Sequence, residues 1–565
     1  ALLPDDPDMQ AVWDAFTWTT SIISTPDGAD VYWRPYENTA AAWLHLGTTP
    51  LHDIRIPEGA AVLNLKKDGY EPLLRVIGGK IRLGSQLAVD DQPGWNFLNV
   101  FSGGFKLHEP QRMPEGMVYV PGWSEVIDGN SVDFREFFIG RYEVTNAEYQ
   151  AFVDAGGYRR KDLWEYEFTD GETTLSFDEA MARFVDATGR PGPSTWEAGA
   201  FQDGQADLPV TGLSWYEAAA YARYREHRLP TVYHWRRALA TGLLTWLLPA
   251  SNVGGEKLVR VGEYSSVGWT GTFDMAGNAR EWCFNAASDG MRALVGGAWD
   301  DAPYMVEESM SEPHRMPALD RSAANGIRLM QADEASHEMA IARQPVELFV
   351  PPPIPESVSD EVFTAMLSDF DYDGGDLNAV VEEETESRYW SRQKITFDGE
   401  AGTDRTIVYL YLPHTNRSRH QAVVLWPGAS TQVAESVDDM RFTLGFLLRN
   451  GRAVAMPVMT GMFERRLIPR PDWTTHRGRN IAIEQVREFR RTIDYLETRQ
   501  DIAHDNLAYY GHSWGGRVGA IVLAVEPRLK TAVLNQAGIN AQDHQDINVA
   551  HFLPRVSVPV LQFNG

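Results

Sequence analysis

Gly511-His512-Ser513-Trp514-Gly515-Gly516 decides how the C-terminal part of this chain folds. Residues 507–510 before it are strand-like, and residues 516–525 after it form an apolar run long enough for a helix. A serine between flanking glycines at a strand-to-helix turn fits the G-x-S-x-G nucleophile elbow. The glycines are expected because the turn is tight and the helix must come close to the strand. Free N–H groups at the helix start then face the point where negative charge develops on a reacting carbonyl. Ser513 is therefore the candidate nucleophile, and the backbone N–H of Trp514 a candidate oxyanion donor.

Around this stretch, strand-like and helical segments alternate. Strands are expected at 379–385, 393–397, 407–412, 422–426, 453–456, 532–534 and 558–563, with a short helix at 362–370. Ile483, Val486, Phe489, Ile493 and Leu496 recur at spacings of three and four, which predicts a helix over 481–496. Such alternation indicates an α/β domain with a largely parallel sheet. Pro427-Gly428-Ala429-Ser430 closes one strand, and the N–H of Ala429 is the candidate second oxyanion donor, Gly428 the next. An ordinary Pro-Gly turn is the other reading of that loop.

A serine nucleophile needs a histidine base and an acid that orients it, in the chain order serine, acid, histidine. The acid is expected after the strand at 558–563, where the sequence closes with Asn564-Gly565. His544, His551, Asp543 and Asp546 all precede that strand, against the triad order, and the two histidines are expected at the surface. His512 belongs to the elbow itself. The expectation is a domain that stops before its acid and histidine, and is nearly inert as it stands.

The chain has 565 residues, enough for about three or four domains. Its net charge of -27 excludes a nucleic-acid surface and disfavours docking on anionic lipid. Cys283 is the single cysteine, so neither an internal disulfide nor a Cys-based metal cluster is available. No segment reaches the roughly 20 apolar residues that span a bilayer, and the opening Ala1-Leu2-Leu3-Pro4-Asp5 lacks a basic leader.

Short alternating strands between Gly/Pro turns mark residues 1–110 as a small β-sandwich. Its Pro26-Asp27-Gly28-Ala29, Gly47-Thr48-Thr49-Pro50-Leu51, Pro57-Glu58-Gly59 and Lys67-Asp68-Gly69-Tyr70 resemble the PEGA domain, a small extracytoplasmic β-module. Residues 111–335 carry another series: Met117-Val118-Tyr119-Val120-Pro121-Gly122, Gly140-Arg141-Tyr142-Glu143-Val144-Thr145-Asn146, Leu213-Ser214-Trp215, Arg228-Leu229-Pro230-Thr231, Gly277-Asn278-Ala279-Arg280-Glu281-Trp282, Gly296-Gly297-Ala298-Trp299 and Asn325-Gly326-Ile327-Arg328. In that order they resemble the formylglycine-generating enzyme (sulfatase-modifying factor) family, which implies a C-type-lectin-like α+β fold. Ser214 with Glu217 reads as a capping box, while Thr145 or Asn146, and Thr231, read as helix caps. Residues 336–356, with Pro345 and Pro351-Pro352-Pro353-Ile354-Pro355, read as a linker without helical period. Residues 357–565 resemble the dienelactone-hydrolase and prolyl-oligopeptidase branch of the α/β-hydrolases.

The family resemblances carry further expectations. Formylglycine-generating enzymes bind copper through two cysteines after a Gly-Gly-Ser-Trp or Gly-Gly-Ser-Tyr motif. This chain has no cysteine after Cys283, so no copper is expected and no cofactor is required. The family also binds calcium near Asn278 and Glu281; hydrogen bonds that merely hold the loop are the equal alternative. The module order resembles the C-terminal half of bacterial serine/threonine-kinase fusions, which implies the extracytoplasmic face of a membrane-anchored parent. The leading expectation is a serine hydrolase for a small ester or peptide substrate, carried with a non-catalytic middle domain. The alternative is a sensor that binds a ligand or a protein partner through its first two modules.

Overall fold

The computed structural model describes residues 17–38, 40–57, 59–78, 104–127, 130–240, 244–287, 290–311, 313–333, 335–346, 352–399, 405–437 and 445–563. Residues 1–5, Glu58, Pro351, Asn564 and Gly565, which enter the reading above, lie outside them. The described residues form two compact units, one ending at residue 346 and one starting at residue 352.

The first unit opens with an antiparallel sheet in which Asp30–Pro35 lies between Leu44–Thr48 and Ala60–Lys66, with Leu73–Gly78 at the far side. Thr17–Ile22 pairs separately with Leu51–Pro57. Alternation along the strands buries Val31, Leu63, Leu65 and Ile77 in one core. Phe105 and Leu107 join that core, and Phe105–Lys106 pairs in parallel with Ser24–Thr25.

The middle part of the unit combines two small sheets with short helices. Met117–Val120, Phe137–Gly140 and Met330–Gln331 make one sheet; His314–Met316, Arg292–Val295, Arg280–Ala286 and Asn325–Gly326 make the other. Thr145 caps the helix Asn146–Asp154, and Ser214 caps Trp215–Tyr224. In both, a glutamate three residues on reaches back to the cap N–H, so two orphan donors are satisfied reciprocally. Thr231 caps Val232–Leu239.

The expected linker at 336–356 starts too early. Ser336 caps a helix, His337–Ala342, whose end is bound by the side chain of Asn285 through the carbonyls of Ala342 and Gln344. Val346 then hydrogen-bonds the carbonyl of Ala286. Met339 and Ala342 are buried, so residues 336–346 belong to the first unit. The prolines around them mask a helix of six residues, too short to show a period.

The second unit is one eight-stranded sheet: β1 (Val380–Glu386), β2 (Trp390–Phe397), β3 (Thr406–Pro413), β4 (His420–Trp426), β5 (Ala453–Val458), β6 (Ile502–His512), β7 (Leu529–Asn535) and β8 (Val560–Phe563). Their order is β1-β2-β3-β5-β4-β6-β7-β8. β1 to β3 are antiparallel, and the five strands from β5 to β8 run parallel. Every residue of β5 is buried, as a parallel strand covered on both faces requires. Helix α1 (His476–Thr498) buries Ile483, Val486, Phe489, Ile493 and Leu496, and α2 (Trp514–Val525) follows β6. From β4 the chain winds to β5 on one side, while β6, β7 and β8 wind to the other. Winding therefore reverses between β4 and β6, which opens a crevice at their C-terminal ends. Among the described residues no helix is long and apolar enough to cross a membrane.

Candidate active site at the β4–β6 crevice

β6 ends at His512 and α2 begins at Trp514, so one residue makes the whole turn. That residue, Ser513, has φ 52° and ψ -107°. A non-glycine residue held there costs about 1–3 kcal/mol and persists only when its surroundings over-determine it. The surroundings do so. Ser513 N–H donates to the carbonyl of Asn535 at the end of β7, 2.8 Å away. A Cβ on Gly515 would overlap the Trp426 carbonyl oxygen at the end of β4, and one on Gly511 would overlap that of Gly515. Both positions need glycine for close approach, which is what lets α2 start against the sheet.

A cleft of about 460 Å³ opens over this turn, and Ala429, Ser513 and Trp514 all line it. The three residues singled out in the sequence thus meet at one place. Gly428 touches the elbow as well: a Cβ there would lie 3.5 Å from the Cβ of Ser513. Among the described residues, neither the N–H of Trp514 nor that of Ala429 is paired with a backbone acceptor, and the Ser513 hydroxyl makes no capping bond to the helix it starts. Two free N–H groups beside an unpartnered hydroxyl suit addition of an alkoxide to a carbonyl.

His512 does not serve the serine. Its Nδ1 lies 3.2 Å from Nδ2 of Asn535, and burial lowers its pKa, so the ring is neutral at pH 7. His544 and His551 are not the surface residues expected. His551 is 5% exposed, because Asn548 caps the helix Val549–Phe552 and Phe552 anchors it against Phe363 and Phe370. The His544 side chain is 12% exposed, and its Nε2 meets Nδ1 of His476 at 3.0 Å. Asp543 is likewise buried; burial raises its pKa, and Arg517 stands 3.6 Å away. Asp546 is bound by Arg479.

Trp473, Arg517, Gln536 and Asn540 also line the cleft, and sequence reasoning missed them. Arg517 was findable, since it stands four residues after Ser513 on the same helix face. Trp473 and Asn540 lie in loops that only the folded sheet brings to the serine.

The two candidate calcium ligands in the first unit are committed elsewhere. Glu281 is fully buried and binds Arg328 through both oxygens, at 2.6–2.9 Å, while Trp235 Nε1 donates to it at 2.5 Å. The Arg328 guanidinium thus neutralises the Glu281 carboxylate inside the fold. The Asn278 amide donates to Glu143 and accepts from Asn252 and from Val259 N–H. Cys283 is fully buried in the strand Arg280–Ala286, and burial pushes its thiol pKa well up. Arg280 pairs with Asp301, just past Gly296-Gly297-Ala298-Trp299.

Residues 105–333 match the sulfatase-modifying factor enzyme 1-like domain. Hercynine oxygenase of Mycolicibacterium thermoresistibile is 32% identical over 224 residues, 32% of this chain and 47% of that protein. Formylglycine-generating enzyme of Thermomonospora curvata is 28% identical over 222 residues, 34% of this chain and 72% of that protein. The chain spans about half the length of the hercynine oxygenases it matches. Among solved structures, acetyl xylan esterase 1 from Thermoanaerobacterium sp. covers 37% of this chain and 79% of its own, with 15% identity and a TM-score of 0.30. The protein thus carries a sulfatase-modifying-factor-like domain at residues 105–333, followed by a separate unit built on one eight-stranded sheet.

Proposed function

We propose that the second unit is a serine hydrolase that cleaves an ester or a peptide-like bond, with Ser513 as nucleophile. The observation that carries this reading is the strained φ of Ser513, held by its neighbours while its side chain faces an open cleft. Ser513 Oγ adds to the carbonyl carbon, and the N–H groups of Trp514 and Ala429 receive the oxyanion. In this fold's chain order the orienting acid follows the strand Val560–Phe563 and the base comes later still, so neither role goes to His544, His551, Asp543 or Asp546, which all precede that strand.

In this reading the middle domain is non-catalytic and works without copper, which the single buried cysteine supports. The strands before it act as a PEGA-like β-sandwich spacer or binding module.

A fluorophosphonate probe on the full-length protein tests the assignment. Labelling that vanishes in Ser513→Ala is the expected result. A folded full-length protein that takes no label, or a Ser513→Ala variant that labels as well, would overturn it.

A further inference from the structure

Arg75 lies in the strand Leu73–Gly78 and is 4% exposed. Its guanidinium donates to three neutral carbonyls, those of Leu74 at 2.9 Å, Thr270 at 2.6 Å and Tyr119 at 2.9 Å. Among the described residues no carboxylate pairs with it. Burial pushes its pKa down to about 9; Tyr119 opposes that shift, and a second cation, Arg141, adds to it. Arg141 likewise has no carboxylate partner among the described residues. A buried charge held by dipoles alone is an unfavourable arrangement that a counter-ion relieves.

Both arginines line one cavity of about 420 Å³ inside the first unit, between the N-terminal strands and the middle part. That volume is in the range of small-molecule sites. Leu73, Met117 and Val118 supply apolar wall. Glu71 and Glu115 also line the cavity; Glu115 is exposed and Glu71 half-buried, and neither forms an ion pair with Arg75 or Arg141. His108 lines it too, with an Nε2 that is buried and unpartnered.

We propose that this cavity binds a small organic monocarboxylate with an apolar body, its carboxylate received by Arg75 and Arg141. A planar guanidinium matches a carboxylate with two parallel N–H···O bonds. The two glutamates disfavour a dianion such as phosphate, whose second charge they repel. The apolar wall takes the rest of the ligand. The site is independent of Ser513 and stands whether or not that residue is a nucleophile.

Isothermal titration of the full chain with hexanoate tests it. Saturable binding in about the millimolar range is expected for a ligand of this size. Arg141→Gln, at a half-buried position with no ion pair to lose, should weaken binding about tenfold or more. Arg75→Met should abolish it, and circular dichroism checks that this variant folds. Absence of saturable binding, equal binding to wild type and Arg141→Gln, or tighter binding of inorganic phosphate than of hexanoate would each overturn the proposal.

Discussion

Asn278 in the first unit and Ser513 in the second both have positive φ, 59° and 52°. Asn278 is completely buried, and both ends of its amide are engaged, with Glu143, Asn252 and Val259. Its unusual backbone angle is repaid within the same loop, and asparagine tolerates that region better than most residues. Ser513 has no such local return. Its backbone is pinned by Asn535 and its side chain stands in an open cleft. The same conformational oddity is therefore structural where the side chain is saturated and functional where it is left free. The centre of the first unit follows the first pattern throughout: Glu281, Arg328 and Trp235 use one another up.

The strongest way to break this contrast is to empty that centre. Arg328→Met leaves Glu281 buried without its cation, and breaking a buried pair on one side costs about 3–5 kcal/mol. Urea unfolding followed by tryptophan fluorescence should show the transition of the first unit move by that amount. Fluorophosphonate labelling of Ser513 should persist. A shift under about 1 kcal/mol, the scale of a surface pair, would mean the pair is not structural and would reopen the loop as a functional site.

The charge balance of that centre offers a second test. Glu143, Asp274 and Glu281 surround the single guanidinium of Arg328. Burial and neighbouring carboxylates push Glu143 well up, and burial raises Asp274 from 3.8 to about 6. For an acid raised in the folded state, stability is fully present below its unfolded pKa. It is lost as pH climbs from about 4 through 6, because the unfolded chain releases its proton first. Asp274 thus weakens the first unit by about 1–3 kcal/mol at pH 7. Asp274→Asn keeps an acceptor for Gly262 N–H and removes the charge. It should melt higher than wild type at pH 7.5, with the gap closing toward pH 4. Melting curves that stay parallel over that range would show that Asp274 does not titrate as described.

What could be read from the sequence divides along the same line. The elbow is local: strand, turn, serine and helix occupy one stretch, 502–525, and each of its glycines has a neighbour it must clear. The amphipathic face of α1, the capping box at Ser214 and a helix cap at Thr145 or Asn146 were legible for the same reason. Partnerships over long separations were not. The residue types of Glu281 and Asn278 are plain in the sequence, but not that Arg328, forty-seven positions after Glu281, pairs with the carboxylate. His551 was misplaced because a helix of four residues has no period from which to read its inward face. The cavity around Arg75 left no trace at all, since its walls come from four separate segments.

The finest test exchanges the two unusual residues for the one that tolerates their backbone. Ser513→Gly removes strain of about 1–3 kcal/mol and loses no bond that the serine side chain makes to its helix, while glycine gives back part of the gain through a freer unfolded chain. The net expectation is a second unit more stable by about 1 kcal/mol, with labelling gone. Asn278→Gly relieves less backbone strain, since asparagine tolerates this region, and leaves an oxygen of buried Glu143 and the N–H of Val259 without partners, so the first unit should lose about 1–3 kcal/mol. Denaturant midpoints of the two variants should therefore move in opposite directions from one and the same substitution. If Ser513→Gly also destabilised, the hydroxyl would be holding the elbow together, and the strain at Ser513 would lose its meaning as a mark of function.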